Sequence, residues 1–132
     1  MEYQVAVLGG GPGGYVAGIR AAQLGMKVCV IEKGKVGGTC LNVGCIPTKA
    51  LLASAEIYHT LVSSGSHHGI KSDNIDLDMP TMVRRKDTVV ERLVGGIGYL
   101  FKKNGITLIE GKGNLLSSKE IKVETKEGLQ YI

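Results

Sequence analysis

The stretch from residue 3 to residue 32, YQVAVLGGGPGGYVAGIRAAQLGMKVCVIE, decides the fold. Its first six residues, YQVAVL, form a near-continuous apolar run. That pattern suits a strand buried on both faces of a parallel sheet better than a half-exposed hairpin strand. A glycine cluster ends the run. Beyond it Tyr15, Ile19 and Ala22 recur at helical spacing, and Gly25 is placed to close the helix in the left-handed conformation. Residues 28–31 (VCVI) form a second apolar run that ends at Glu32, so the stretch reads as a βαβ unit.

The glycine cluster satisfies G-x-G-x-x-G at Gly9, Gly11 and Gly14, between strand and helix. Gly9 permits the tight turn, Gly11 lets the backbone approach a pyrophosphate, and Gly14 lets helix and strand pack closely. Phosphates would sit on the unpaired amides of the helix amino terminus, where the dipole also favours negative charge. Glu32 lies 18 residues beyond Gly14, at the carboxyl end of the second strand, where a carboxylate accepts hydrogen bonds from ribose hydroxyls and disfavours a 2′-phosphate. A glycine-rich turn without a ligand would explain the glycines alone; it would not explain the strand, the helix and Glu32 around them. The fingerprint serves NAD and FAD equally.

Immediately downstream, residues 37–52 read GGTCLNVGCIPTKALL. Two cysteines separated by four residues can be half of a metal site, a redox pair or a coincidence. Structural zinc takes four ligands in closely spaced pairs, whereas Cys29 falls in an apolar strand and His59, His67 and His68 show no matching spacing. A disulfide needs Cα atoms within about 4.4–6.8 Å, while five residues of regular α-helix rise about 7.5 Å. The backbone between Cys40 and Cys45 must therefore leave the helix if the pair is to bridge. Gly44 supplies conformational freedom, and Pro47 suits the first turn of a helix starting just after the pair. Cys45 then lies near a helix amino terminus, where a thiolate is favoured. Lys49, four residues on, projects from the same face; taken alone it reads as an exposed helix lysine. Spacing shows a nucleotide fold with a redox-type cysteine pair and no more.

The string GGTCLNVGCIPTKALL resembles the redox-active segment of the pyridine nucleotide disulfide oxidoreductases, and the wording of residues 41–47 is most similar to the dihydrolipoamide-oxidising branch of that family. The likeness covers the chain and becomes diffuse after about His59. It implies that Gly9, Gly11, Gly14 and Glu32 hold FAD, with Lys33, Gly38 and Thr39 along the adenosine and pyrophosphate path. It implies that Cys40 exchanges with a dithiol substrate, that Cys45 is the inner thiolate in charge-transfer contact with the flavin, and that Lys49 sits near the flavin N5. The segment 111–113 resembles the family stretch in which a main-chain group, by match Gly113, touches the adenine end of FAD. The expected fold is α/β, a Rossmann-like FAD-binding domain with a parallel sheet and a partial antiparallel hairpin. Residues 1–132 are expected to form this amino-terminal domain in incomplete form, without the NAD and interface domains and the catalytic His-Glu pair of the family. The implied reaction is oxidation of protein-bound dihydrolipoamide through a Cys40–Cys45 disulfide, with NAD⁺ as acceptor. The implied partners are the dihydrolipoyl domain of a 2-oxoacid dehydrogenase complex and a second copy in a homodimer. A glutathione- or mercuric-reductase-like enzyme is the alternative, as is a non-catalytic nucleotide-binding fragment with an exposed strand edge.

The rest of the chain bounds these readings. With 132 residues, 43% of them apolar, there is enough material for one domain with a core. Glycine is in excess, but clustered at 9–14, 34–44 and 95–98, which marks special backbone rather than low complexity. The net charge of +4 is scattered, and Arg84-Arg85-Lys86 reads as a solvated helix face rather than a nucleic-acid site. No apolar run approaches the ~20 residues of a membrane span. The strand-like run so close to Met1 leaves no room for a secretory leader, and the chain is expected to be cytoplasmic. Residues 50–60 continue a helix, 63–78 read as a surface loop, and 79–103 form two helices or one kinked at Gly95-Gly96. Residues 106–109 read as a third parallel strand. Residues 121–124 open a hairpin turning at Lys126-Glu127-Gly128. Lys33, Gly34 and Lys35 form a loop, and no metal site is expected.

Overall fold

In the computed structural model, which describes residues 2–71 and 73–132, the polypeptide runs β1 (Val5–Leu8), α1 (Pro12–Gln23), β2 (Val28–Glu32), α2 (Gly38–Asn42), α3 (Cys45–Ser64), a 3-10 turn (Gly65–His68), α4 (Met79–Lys103), β3 (Thr107–Ser117), β4 (Glu120–Thr125) and β5 (Gly128–Tyr131). Met1 and Ser72, the second within the expected loop, lie outside the described residues. One five-stranded sheet has the order β1-β2-β3-β4-β5. Strands β1, β2 and the start of β3 are parallel, and β3, β4 and β5 are antiparallel.

Strand β2 is the centre of the molecule. Being apolar on both faces, it separates two clusters. Val28 and Val30 face Val36, Leu41, Ile97, Phe101 and Ile106 on the helical side, whereas Cys29 and Ile31 face Ile109, Ile121 and Val123 on the side of the antiparallel strands. Strand β1 departs from expectation: it begins at Val5, alternates half-buried with exposed, and leaves Leu8 51% exposed. Among the described residues it pairs with β2 alone, which leaves one edge uncovered; an apolar composition does not by itself bury a strand at the border of a sheet.

Strand β3 is much longer than residues 106–109. Residues 107–110 pair with β2, and from Gly111 the same strand pairs with β4. The sequence EGKGN looks like a strand break because glycine is poor in strands. Here the glycines make room: a Cβ on Gly111 would meet Glu124 O and Val123 Cγ1, both at 2.7 Å, and one on Gly113 would meet Leu8 Cδ1 at 2.4 Å. The close approach lets the antiparallel strands lie over β1 and β2.

Helix α4 is a single helix through Gly95-Gly96, not two and not broken there. Its start is fixed by Asp78, whose carboxylate accepts hydrogen bonds from Thr81 N–H at 3.0 Å and from the Thr81 hydroxyl at 2.5 Å; these bonds hold the Asp78 carboxyl below the usual range. Val94, Ile97 and Phe101 straddle the glycines and pack on the core, which outweighs a propensity cost of about 1 kcal/mol per glycine. The expected loop is shorter than residues 63–78: α3 runs to Ser64, and the 3-10 turn follows and closes at Gly69 with φ +74°.

The basic cluster is not merely a solvated face. Arg85 on α4 donates from Nη1 to Ala50 O at 2.9 Å and to Ser54 Oγ at 3.4 Å, both on α3. Among the described residues the Arg84 guanidinium donates to Thr81 of its own helix, and Lys86 pairs with the neighbouring Asp87. Arg85→Met is expected to cost about 1 kcal/mol, lowering Tm by about 4 °C. Arg84→Met should change it by less than about 1 °C. Thermal melts followed by circular dichroism check both, and equal Tm values would remove the cross-helix role.

No helix among the described residues is long and apolar enough to cross a membrane.

Candidate dinucleotide cradle and cysteine pair

At the carboxyl end of β1 the chain turns through Gly9, at φ +102°, whose N–H donates to Ile31 O at 2.8 Å. Gly11 is the extended N-cap of α1 and Pro12 its first residue, so the first position has no N–H to satisfy. The first bond of the helical ladder is Tyr15 N–H to Gly11 O at 2.9 Å. The amides of Gly13 and Gly14 precede it and point out of the helix end, available to an anion.

Gly14 is held more tightly than a helix–strand contact requires. A Cβ there would lie 1.8 Å from Gly9 O, inside the turn itself. The close approach of α1 to the sheet is shared: a Cβ on Gly14 would also lie 3.3 Å from Val7 Cγ1 of β1, and one on Gly18 would meet Val30 Cγ2 of β2 at 3.0 Å. Sequence reasoning missed Gly18; its four-residue spacing from Gly14 on one helix face was the available signal.

Glu32 bridges two loops. Its Oε2 accepts from Gly10 N–H at 2.7 Å and its Oε1 from Gly34 N–H at 2.8 Å. An ionised carboxylate has about four lone-pair sites, so both oxygens retain capacity for hydroxyl donors. Beyond Glu32, a cleft of about 480 Å³ opens between Lys33, Gly34, Gly111, Lys112 and Lys126. Gly113 itself is packed against Leu8 and Ile31, beside that cleft rather than lining it. A larger hollow of about 710 Å³ between Tyr3, Leu108, Lys126 and Tyr131 includes none of the glycine-loop or cysteine residues.

The loop after β2 closes the cradle. Gly37, at φ +103°, donates to Gly10 O at 2.7 Å. Gly38, at φ +62°, lies so near the glycine loop that a Cβ on it would sit 2.8 Å from Gly11 Cα. Thr39, exposed, follows on the first turn of α2.

Cys40 is half-buried on α2, and Cys45 is the exposed first residue of α3. The break required between them is Val43-Gly44. Gly44 has a negative φ of −118°, so space rather than a left-handed backbone demands glycine: a Cβ would meet Thr39 O at 3.0 Å and Cys40 Cα at 3.3 Å. Helix α3 begins at Cys45, within the pair rather than after it, and Pro47 is buried in its first turn. Both cysteines are free thiols. The Cys40 thiol is pushed up, first by its side-chain hydrogen bond with Cys45, then by burial and by the Cys45 charge; the Cys45 N–H and the Lys49 ammonium oppose the shift. Lys49 is exposed one turn along α3, near enough to act on the pair. Cys29 is wholly buried in β2, and burial raises its thiol.

Asn42 was not singled out by sequence reasoning. Its Nδ2 donates to Gly38 O at 2.9 Å and Val36 O at 3.1 Å, with Lys35 O at 3.4 Å, while Oδ1 is buried without a partner. Three surrounding carbonyls fix the amide orientation, since a flip would set oxygen against oxygen.

Glycine-loop amides, a carboxylate with spare acceptor sites and an adjoining cleft together suit a dinucleotide, and a vicinal thiol pair adjoins them through α2. Among the described residues, no group of three or more His, Cys, Asp or Glu side chains could hold a metal ion.

Comparison with known proteins accords with this geometry. The chain is 52% identical over 128 residues to dihydrolipoyl dehydrogenase 1, mitochondrial, of Arabidopsis thaliana, covering 96% of this chain and 25% of that protein. It is 53% identical over 128 residues to the mitochondrial dihydrolipoyl dehydrogenase of Pisum sativum, covering 96% and 26%. Among solved structures, the Cu(II) complex of the HOCl-induced flavoprotein disulfide reductase RclA from Escherichia coli superposes with a TM-score of 0.81 at 27% identity, covering 100% of this chain and 26% of that one. The chain thus spans about a quarter of the length of the relatives it matches. Their mitochondrial names overturn the cytoplasmic expectation. That expectation rested on the lack of an apolar leader, and organellar leaders are amphipathic and Arg-rich, so the test had no bearing on mitochondria. The sequence profile described as pyridine nucleotide-disulphide oxidoreductase matches residues 3–131, and the chain belongs to that family.

Proposed function

We propose that the protein carrying this chain oxidises protein-bound dihydrolipoyl groups with FAD as resident cofactor and NAD⁺ as final acceptor, and that residues 1–132 are its amino-terminal FAD-binding domain in incomplete form. The observation that carries the reading is the direct junction of the glycine cradle to the Cys40–Cys45 pair at the start of α3, in a chain 52–53% identical to dihydrolipoyl dehydrogenases. Gly9, Gly11 and Gly14 shape the pyrophosphate seat, Glu32 takes the ribose hydroxyls, Lys33, Gly38 and Thr39 line the adenosine and pyrophosphate path, and Gly113 adjoins the adenine end. FAD, when bound, supplies an acceptor for two electrons from the thiol pair. The dihydrolipoyl domain of a 2-oxoacid dehydrogenase complex is the proposed partner, and a second copy completes the proposed homodimer.

In the oxidised protein Cys40 and Cys45 are joined by a disulfide. One thiolate of the substrate attacks Cys40 Sγ, and Cys45 leaves as a thiolate at the amino terminus of α3, where positive potential stabilises it. The second substrate thiol then attacks the mixed disulfide and Cys40 leaves, taking up a proton. The substrate dithiol has become a disulfide, and the cysteine pair has gained two electrons. The Lys49 ammonium, one turn on, offsets the negative charge that accumulates at the pair.

Assays of the purified protein with dihydrolipoamide and NAD⁺, beside oxidised glutathione and NADPH, test the assignment. Preference for the first pair by at least about a hundredfold in kcat/KM is expected; 1.4 kcal/mol accounts for each factor of ten. Preference for the second pair sinks the dihydrolipoyl reading while leaving the disulfide chemistry intact.

A further inference from the structure

We propose that Asn42 is the positioning residue that locks the cysteine pair to the nucleotide cradle. The inference rests on reading cradle and cysteines as one redox site. Residues 35–38 leave β2 and cross over the glycine loop, where Gly37 N–H donates to Gly10 O at 2.7 Å. Among the described residues, the backbone hydrogen bond that ties the crossing residues 35–37 to α2 is the long 3.4 Å one from Leu41 N–H to Gly37 O. Asn42 closes that gap with its two N–H donors, directed at Gly38 O in its own helix and at Val36 O in the crossing loop.

Helix α2 is only five residues long and has a single buried apolar anchor, Leu41. One anchor holds a short helix near the core without fixing its rotation about that point. A second fixed point is needed to aim Cys40, and Asn42 is the side chain that provides it. The placement passes on to Cys45, because Gly44 packs against Thr39 O and Cys40 Cα at the junction with α3. Gly10, Gly37, Asn42, Cys40 and Cys45 thus form one mechanical chain. Among the described residues no donor reaches Asn42 Oδ1, so the Nδ2 donors are the part of the amide in use.

Two consequences are expected when the donors are removed. The thiols lose their fixed separation, so the disulfide forms less favourably, and the cradle loses the support of Gly37 and Gly38, so FAD binds less tightly. The first is measured as the equilibrium in which the Cys40 and Cys45 thiols pass two electrons and two protons to glutathione disulfide, giving the intramolecular disulfide and two glutathione thiols. Asn42→Asp keeps the shape without N–H donors; Asn42→Ala serves where a carboxylate facing carbonyl oxygens prevents folding.

Either variant is expected to shift the exchange constant toward the dithiol by about tenfold, which is about 30 mV for this two-electron couple. FAD affinity, read by flavin fluorescence on the same samples, should fall by a similar factor. A shift in neither quantity, or in only one, overturns the proposal, the second because Asn42 would then serve one half alone. If wild-type protein neither binds FAD nor forms an exchangeable pair, the functional reading fails instead. Hydrogen exchange on unmodified protein gives a separate test: the Gly37, Leu41 and Val43 amides should open with one common free energy, and independent opening overturns the proposal even where no variant folds.

Discussion

Gly14→Ala is expected to weaken FAD binding by about a hundredfold or more, equivalent to about 3 kcal/mol, although alanine is intrinsically the better helix residue. The added Cβ would be 1.8 Å from Gly9 O, a position no pair of non-bonded heavy atoms can share. Gly9 cannot simply move aside, because its N–H is tied to Ile31 O and its φ of +102° already shapes the turn. On the other flank Val7 Cγ1 is only 3.3 Å away. Relief therefore has to come from displacement of the turn relative to α1, which separates the Gly13 and Gly14 amides from the place a phosphate would take. Overpacking of this kind also costs about 1–3 kcal/mol of stability. Gly13→Ala is the matched control. Nothing lies within 4 Å of a Cβ there, so the substitution is expected to stabilise α1 by about 0.5–1 kcal/mol through helix propensity. Flavin titration and denaturant unfolding on both variants decide the matter. A Gly14→Ala protein that binds FAD as the wild type does would place the nucleotide elsewhere.

The contrast between these adjacent glycines shows what could be read from the sequence. The βαβ unit was legible because strand, glycine turn, helix and Glu32 each follow a local rule, and the local rules agree. The start of α3 at Cys45 was nearly so, given Gly44 and Pro47. What escaped depends on contacts far apart in the chain. The exposure of β1 follows from sheet order, and the continuation of β3 through Gly111 and Gly113 follows from Leu8 and Val123 filling the space where side chains would be. The unbroken α4 follows from core contacts at Val94, Ile97 and Phe101. Arg85 looked like surface charge because its partner, Ala50 O, is a main-chain atom 35 residues away, and no composition signal marks a carbonyl. Asn42 was hidden for the same reason, since its partners are also main-chain oxygens.

Replacement of either cysteine is expected to have the largest effect on the proposed chemistry, and replacement of Cys45 to leave a signature on Cys40. In the proposed reaction, loss of either sulfur removes the acceptor disulfide, so Cys40→Ser and Cys45→Ser should each lower dihydrolipoamide turnover by at least about a thousandfold. The two differ in what remains. If Cys45 is the sulfur that faces the flavin, long-wavelength absorbance on two-electron reduction persists in Cys40→Ser and is absent in Cys45→Ser. The reverse pattern would exchange their roles. The pair geometry makes a further demand that needs no flavin. Cys40 is held above the ordinary thiol range chiefly by its hydrogen bond with Cys45, with contributions from burial and the Cys45 charge, against the lowering influence of Lys49. The thiolate is the nucleophile, so alkylation of Cys40 by iodoacetamide in the reduced protein should keep rising with pH beyond the point at which a free thiol levels off. In Cys45→Ala both contributions of the Cys45 side chain vanish while Lys49 stays, and the Cys40 profile should move to lower pH. Cys29, 0% exposed, should remain unlabelled in both proteins until they unfold, which makes it an internal check on the fold. Peptide mapping after alkylation at several pH values separates the three thiols. An unmoved Cys40 profile would mean that the two sulfurs do not share a hydrogen bond, and the vicinal pair on which the proposed chemistry depends would be lost with it.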